Sequence, residues 1–160
     1  MSDDFRPRRS VLYMPAANAK ALEKAKTIPA DALIFDLEDA VAPDAKPAAR
    51  DSAAAAASSG EYGRRELTIR CNGLDTPWGA DDLAAAAAAG PAAVVIPKVS
   101  STAYLAEVVK RLEAAGAPDS LRVWAMIETP TAIFDVRQIA AVDRVAVLVV
   151  RYFGGVKLGA

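Results

Sequence analysis

Histidine is absent from all 160 positions of this chain. That removes the commonest general base and the commonest transition-metal ligand, so His-based triads and histidine zinc sites are excluded. Cysteine occurs once, as Cys71, so no intrachain disulfide forms and a reducing compartment is expected. No apolar run reaches the roughly 18–20 residues that span a bilayer. The first ten residues, MSDDFRPRRS, lack the apolar core of a signal peptide. A cytoplasmic protein with no membrane partner is the expectation. Excess charge is missing too, with 19 Lys and Arg against 20 Asp and Glu. Nonspecific nucleic-acid binding draws on clustered positive charge. Here only Arg6, Arg8 and Arg9 bunch, offset by Asp3 and Asp4, which reads as a solvated N-terminal tail. What remains for chemistry is carboxylates, Lys, Arg, Tyr, or a hard cation held by oxygen.

What is present is an alternation of apolar runs and helical patterns. With 53% hydrophobic and 24% charged residues the chain is globular rather than disordered. Strand patterns fall at 10–15, 32–40, 66–73, 93–99, 121–129 and 145–150. Between them the sequence predicts helices over Asn18–Ile28, with Asn18 as N-cap, over Lys46–Ser58 after the Pro43-Asp44 turn, and over Asp81–Ala89, stopped by Gly90-Pro91. A fourth helix, capped by Ser100 or Ser101, carries Leu105, Val108, Val109 and Leu112 on one face and ends before Gly116 and Pro118. Pro130 opens a fifth, running to about Val142.

Uniform strand–helix repetition with apolar strands predicts a parallel sheet covered by helices, in one domain across 1–160. An open doubly wound sheet and a (β/α)8 TIM barrel both fit this pattern. The glycine fingerprints of the nucleotide-binding open sheets, GxGxxG after a strand and GxxxxGK[ST], do not occur, and Lys98 after Pro97 is not a P-loop lysine. The barrel is favoured, yet it uses eight strands and usually about 250 residues. The expectation is an incomplete TIM barrel of about six strands and five helices, with 151–160 as an atypical C-terminal segment.

Four strand patterns end in chemically capable groups: ALIFDLEDA, LTIRCNG, AVVIPKV and VWAMIET. In parallel α/β folds such groups face a ligand beyond the carboxyl ends of the strands. Strand alternation puts Asp36 with Glu38, Arg70 with Asn72, Lys98 with Ile96, and Glu128 with Met126, while Leu37 and Asp39 point the other way. Asp36, Glu38, Arg70, Asn72, Lys98 and Glu128 would then form a mixed-charge pocket at one barrel mouth. Arg70 suits two-point capture of a carboxylate or phosphate, and also an ion pair with Glu38 or Asp36. Glu128 lacks a cation in its own segment, so either a hard divalent cation such as Mg2+ or Lys98 neutralises it. Lys98 as a Schiff-base nucleophile is disfavoured beside a glutamate that keeps it protonated.

The stretches RRSVLYMPAANAKALEKA, PADALIFDLEDAVAPDAKPAAR, IRCNGLDTPWGADDL, VVIPKV and MIETPTAIF together resemble the HpcH/HpaI aldolase and citrate lyase family, from residue 8 to about 150. The resemblance implies a (β/α)8 barrel with Mg2+ at its mouth, assembled as a trimer or hexamer. It implies a carbon–carbon lyase or aldolase joining or parting a CoA (or acyl-carrier) acetyl thioester and a 2-oxo acid such as oxaloacetate or glyoxylate. Arg70 matches the arginine that grips the oxo-acid carboxylate, and Glu128 a metal-ligating glutamate. Asp36, Glu38 and Asp39 fall in the supporting acidic motif, while Tyr13 and Lys24 lie in the segment that places CoA. The family's second metal ligand is an aspartate in a glycine-containing loop after the sixth strand. Here that stretch is RYFGGVKLGA, with no acidic residue. Two other readings accompany the lyase: a non-catalytic remnant or assembly subunit pairing through an exposed strand edge, and a malyl- or citramalyl-thioester hydrolase on the same scaffold.

Overall fold

Six apolar runs become six parallel strands, and the amphipathic or alanine-rich segments between them become helices. The computed structural model describes residues 7–149. In chain order the elements are β1 (Val11–Pro15), α1 (Ala19–Ala25), β2 (Ala32–Asp36), α2 (Lys46–Ser58), β3 (Glu66–Arg70) and α3 (Gly79–Ala89). There follow β4 (Ala93–Ile96), α4 (Thr102–Ala114), β5 (Arg122–Ile127), α5 (Pro130–Phe134), α6 (Val136–Ala140) and β6 (Val145–Val149). The strands form one sheet in the order β1-β2-β3-β4-β5-β6, each pair parallel. A doubly wound sheet reverses direction at a switch point and breaks sequential order, so this winding is that of a TIM barrel, here incomplete.

The sheet separates two apolar layers. Ala32, Ile34, Ala93, Val95, Trp124 and Met126 form a cluster on the inner face. Their strand neighbours Leu33, Phe35, Ile69, Val94, Ile96 and Ile127 pack with the helices on the outer face, as the two-residue period requires. Burying each large apolar side chain stabilises the fold by about 1.5–3 kcal/mol. Helix α2 turns Ala49, Ala53 and Ala56 inward; alanine loses no side-chain entropy and lets the helix lie close.

The expected boundaries change for local reasons. Helix α1 stops at Ala25 rather than Ile28: the N–H groups of Lys26 and Thr27 bond back only three residues, and Pro29 disfavours helix at Ile28. Helix α3 begins two residues early, at Gly79. The fifth predicted helix breaks at Asp135 (φ −100°, ψ 6°) into α5 and α6, giving six helices instead of five. Strands β2, β3, β4 and β5 end at Asp36, Arg70, Ile96 and Ile127, because their polar tails leave the ladder as loops.

Arg8 and Arg9 are exposed, as expected, but anchored rather than free. Arg8 pairs with Glu66 and lies 5.2 Å over the Trp124 ring, while Arg9 pairs with Asp31 at 3.0 Å. Asp3, Asp4 and Arg6 of the expected tail, Val150 of the sixth strand and the segment 151–160 lie outside the described residues. Among the described residues no helix is long and apolar enough to cross a membrane.

Candidate active site

The last residues of β2 and β3, Asp36 and Arg70, are register partners. Arg70 Nε and Nη2 donate to Asp36 Oδ1 and Oδ2 at 2.7 and 2.6 Å, the two-point match of guanidinium to carboxylate. Asp36 also accepts from the backbone N–H of Glu38 at 2.9 Å and of Ala40 at 3.2 Å. The chain after β2 is thereby folded back over Arg70. Glu38 Oε2 lies 2.9 Å from Arg70 Nη1, and its Oε1 accepts from Lys98 Nζ at 2.9 Å. The Tyr13 ring covers the guanidinium at 4.9 Å, and its hydroxyl reaches the Met126 sulfur at 3.9 Å.

Burial works against the charge of Arg70, but hydrogen bonding to Asp36 and the negative charges of Asp36 and Glu38 outweigh it and raise its pKa. The Tyr13 phenol is pushed up by burial. The hydrogen bond to Glu38 raises the Lys98 amine, which keeps it protonated and unsuited to Schiff-base attack.

Lys98 and Glu128 meet through the backbone. Glu128 Oε1 accepts from the Lys98 N–H at 2.6 Å, while the Lys98 ammonium crosses to Glu38; the ammonium–Glu128 pair is not formed. Lys98 has φ 50°, uncommon for a residue with a side chain. Asp39 also departs from strand alternation: the ladder stops at Asp36, and the turn brings Asp39 Oδ2 within 3.8 Å of Arg70 Nη1. Asn72 is buried beneath the mouth and braces it from below. Lys24 sits exposed in the last turn of α1, which runs back from the strand ends, and no described contact joins it to Arg70.

Sequence reasoning named Asn72 but passed over its buried partners. Lys46, Asn72, Asp82 and Arg50 are joined by hydrogen bonds. One signal was available: Lys46 opens α2, where the helix dipole disfavours a cation, so a specific partner was implied. Beside the mouth, a cleft of about 280 Å³ is lined by Glu38, Asp75, Thr76, Lys98, Ser100 and Tyr104.

Among the described residues no three His, Cys, Asp or Glu groups gather to hold a metal. The donor set still suits one hard cation. Among the described residues the carboxylates of Asp36, Glu38, Asp39 and Glu128 surround Arg70 and Lys98, and the Lys46 ammonium interacts with the first three, so carboxylates outnumber these cations by one. Mg2+ is commonly held by one or two carboxylates, with water and substrate oxygens completing its shell.

Parallel strands in sequential order, covered by helices and carrying charged groups at their carboxyl ends, mark the TIM-barrel class. The chain belongs to the HpcH/HpaI aldolase/citrate lyase family, whose model matches residues 9–152. It is 44% identical over 149 residues to a (3S)-malyl-CoA thioesterase of Cereibacter sphaeroides, covering 93% of this chain and 50% of that protein. Against the citrate lyase subunit beta of Escherichia coli the identity is 37% over 140 residues, covering 84% and 46%. The citrate lyase beta subunit of Mycobacterium tuberculosis complexed with oxaloacetate and magnesium superposes with a TM-score of 0.68 at 30% identity, covering 89% of this chain and 59% of that one. The chain spans about half the length of the curated relatives it matches.

Proposed function

We propose that the mouth binds a 2-oxo acid with Mg2+ and makes or breaks the carbon–carbon bond to an acetyl thioester of CoA or an acyl carrier. The observation that carries this reading is Arg70, oriented by Asp36, shielded by Tyr13 and set beside the Glu38 carboxylate. Of its five N–H donors two serve Asp36 and one nitrogen faces Glu38, which leaves donors for one ligand carboxylate. Arg70 would orient the oxo acid and offset charge as it develops. Glu128 would hold Mg2+, and bound Mg2+ would supply Lewis-acid polarisation of the 2-oxo carbonyl. Glu38, Asp39 and Lys98 would steady these groups. Tyr13 borders the space where the thioester would enter, and Lys24 joins the CoA contacts through the family resemblance.

Hydrolysis of a malyl-type thioester is the second reading, favoured by the 44% identity to a protein named as a malyl-CoA thioesterase. Incubating the chain with malyl-CoA and Mg2+ separates the two. Cleavage of the carbon–carbon bond yields acetyl-CoA and glyoxylate in equal amounts, which is the expected result. Hydrolysis yields malate and free CoA thiol. Neither product would overturn catalysis by this chain and favour the assembly-subunit reading.

A further inference from the structure

Lysine is almost never buried without a partner, and a cation at the start of a helix opposes the dipole. Lys46 does both: it is the first residue of α2 and only 6% exposed. All three of its ammonium protons find acceptors, in the carbonyls of Leu37 (2.8 Å) and Glu38 (2.9 Å) and in Asn72 Oδ1 (2.8 Å). The Trp78 ring faces the same ammonium at 5.1 Å. Asn72 is itself fixed, since its Nδ2 donates to Leu37 O at 2.9 Å and to Asp82 Oδ2 at 2.7 Å. Arg50 Nε in turn holds Asp82 Oδ1 at 2.7 Å. Burial lowers the pKa of Lys46, and these acceptors offset the cost of keeping a charge there.

The loop after β2 is consequently gripped from two sides. Asp36 accepts from the N–H groups of Glu38 and Ala40, while Lys46 donates to the carbonyls of Leu37 and Glu38. Glu38 is fixed at both its N–H and its C=O, with its carboxylate spanning Arg70 and Lys98. No step of the proposed chemistry uses a lysine at this depth.

We propose that Lys46 is a positioning residue: by binding the Leu37 and Glu38 carbonyls it holds the Glu38 carboxylate against Arg70 and Lys98, and so directs the donors that Arg70 offers to an oxo acid. This rests on the carboxylate-binding reading of Arg70. Lys46 acts through Glu38 and touches no ligand.

The test is calorimetric binding of oxaloacetate, with Mg2+ present, to the full chain and to Arg70→Ala, Lys46→Met, Glu38→Gln and the Lys46→Met/Glu38→Gln pair. Lys46→Met is expected to keep a cooperative melt and lose about tenfold or more in affinity, the usual scale for a residue supporting a ligand-binding group. The double variant is expected to bind no worse than the weaker single variant, because both changes break one path. Losses that multiply in the double variant would mark a merely structural lysine and overturn the proposal, as would Lys46→Met affinity within about twofold of the parent. If Lys46→Met loses its melt, Lys46→Gln replaces it, since its amide still donates to one carbonyl. Parent-like affinity in that variant, or a lost melt there too, overturns the proposal. If the parent does not bind oxaloacetate, or Arg70→Ala binds like the parent, the reading of Arg70 itself fails and this proposal falls with it.

Discussion

Arg70 is tied to Asp36 and Glu38, and the proposed function asks it to bind a third carboxylate as well. Its planar fork would allow this: one edge serves Asp36, one nitrogen faces Glu38, and the donors left over would serve the ligand. A lysine keeps the charge but has no fork. Arg70→Lys is therefore expected to weaken oxaloacetate binding by about 100-fold, the scale of one lost pair of charge-assisted hydrogen bonds; calorimetry with Mg2+ measures it. The charged groups of the mouth were legible in sequence, because a polar residue closing an apolar strand has few other places to go. Their partners were less so. Lys98 was one of two candidates to neutralise Glu128, beside a hard cation, yet its side chain crosses to Glu38 in the loop after β2. Lys46 looked like an ordinary helix opener, since its three acceptors come from residues eight, nine and 26 positions away. Asp39 was misplaced because alternation was carried past the end of β2.

Among the elements, α3 docks closely against the loop after β3 at its first residue. A Cβ at Gly79 would collide with the Gly73 carbonyl oxygen and lie 2.9 Å from the Asn72 carbonyl oxygen. In a free helix glycine to alanine gains about 1 kcal/mol. Here the backbone of the loop after β3 leaves no room, and forcing it aside costs about 1–3 kcal/mol. Gly79→Ala is thus expected to lower stability, read as a reduced urea midpoint, with the sign opposite to that of helix propensity. Element type followed well from the sequence, whereas helix ends did not. Asp135 breaks the fifth helix in a stretch without glycine or an internal proline, so only its φ and ψ reveal the interruption. Pro29, by contrast, was a readable reason for α1 to end early.

For the whole molecule, the parallel sheet was legible because apolar strand runs alternate with helical patterns and no nucleotide-binding glycine loop competes. Ligand linkage belongs to this scale. If Mg2+ and oxaloacetate bind only the folded chain, each at about 100 times its Kd, together they raise the melting temperature by about 10–20 °C. A thermal melt with each alone and with both measures it; an unchanged midpoint would sink the site reading. The strand order carries one more consequence. Each described strand pairs with its neighbours in sequence, so among the described strands no pairing waits for a later one. Each step closes only one strand–helix–strand crossover rather than a loop spanning the chain. As the polypeptide leaves the ribosome, each new strand finds its template already laid down, and synthesis order and assembly order coincide.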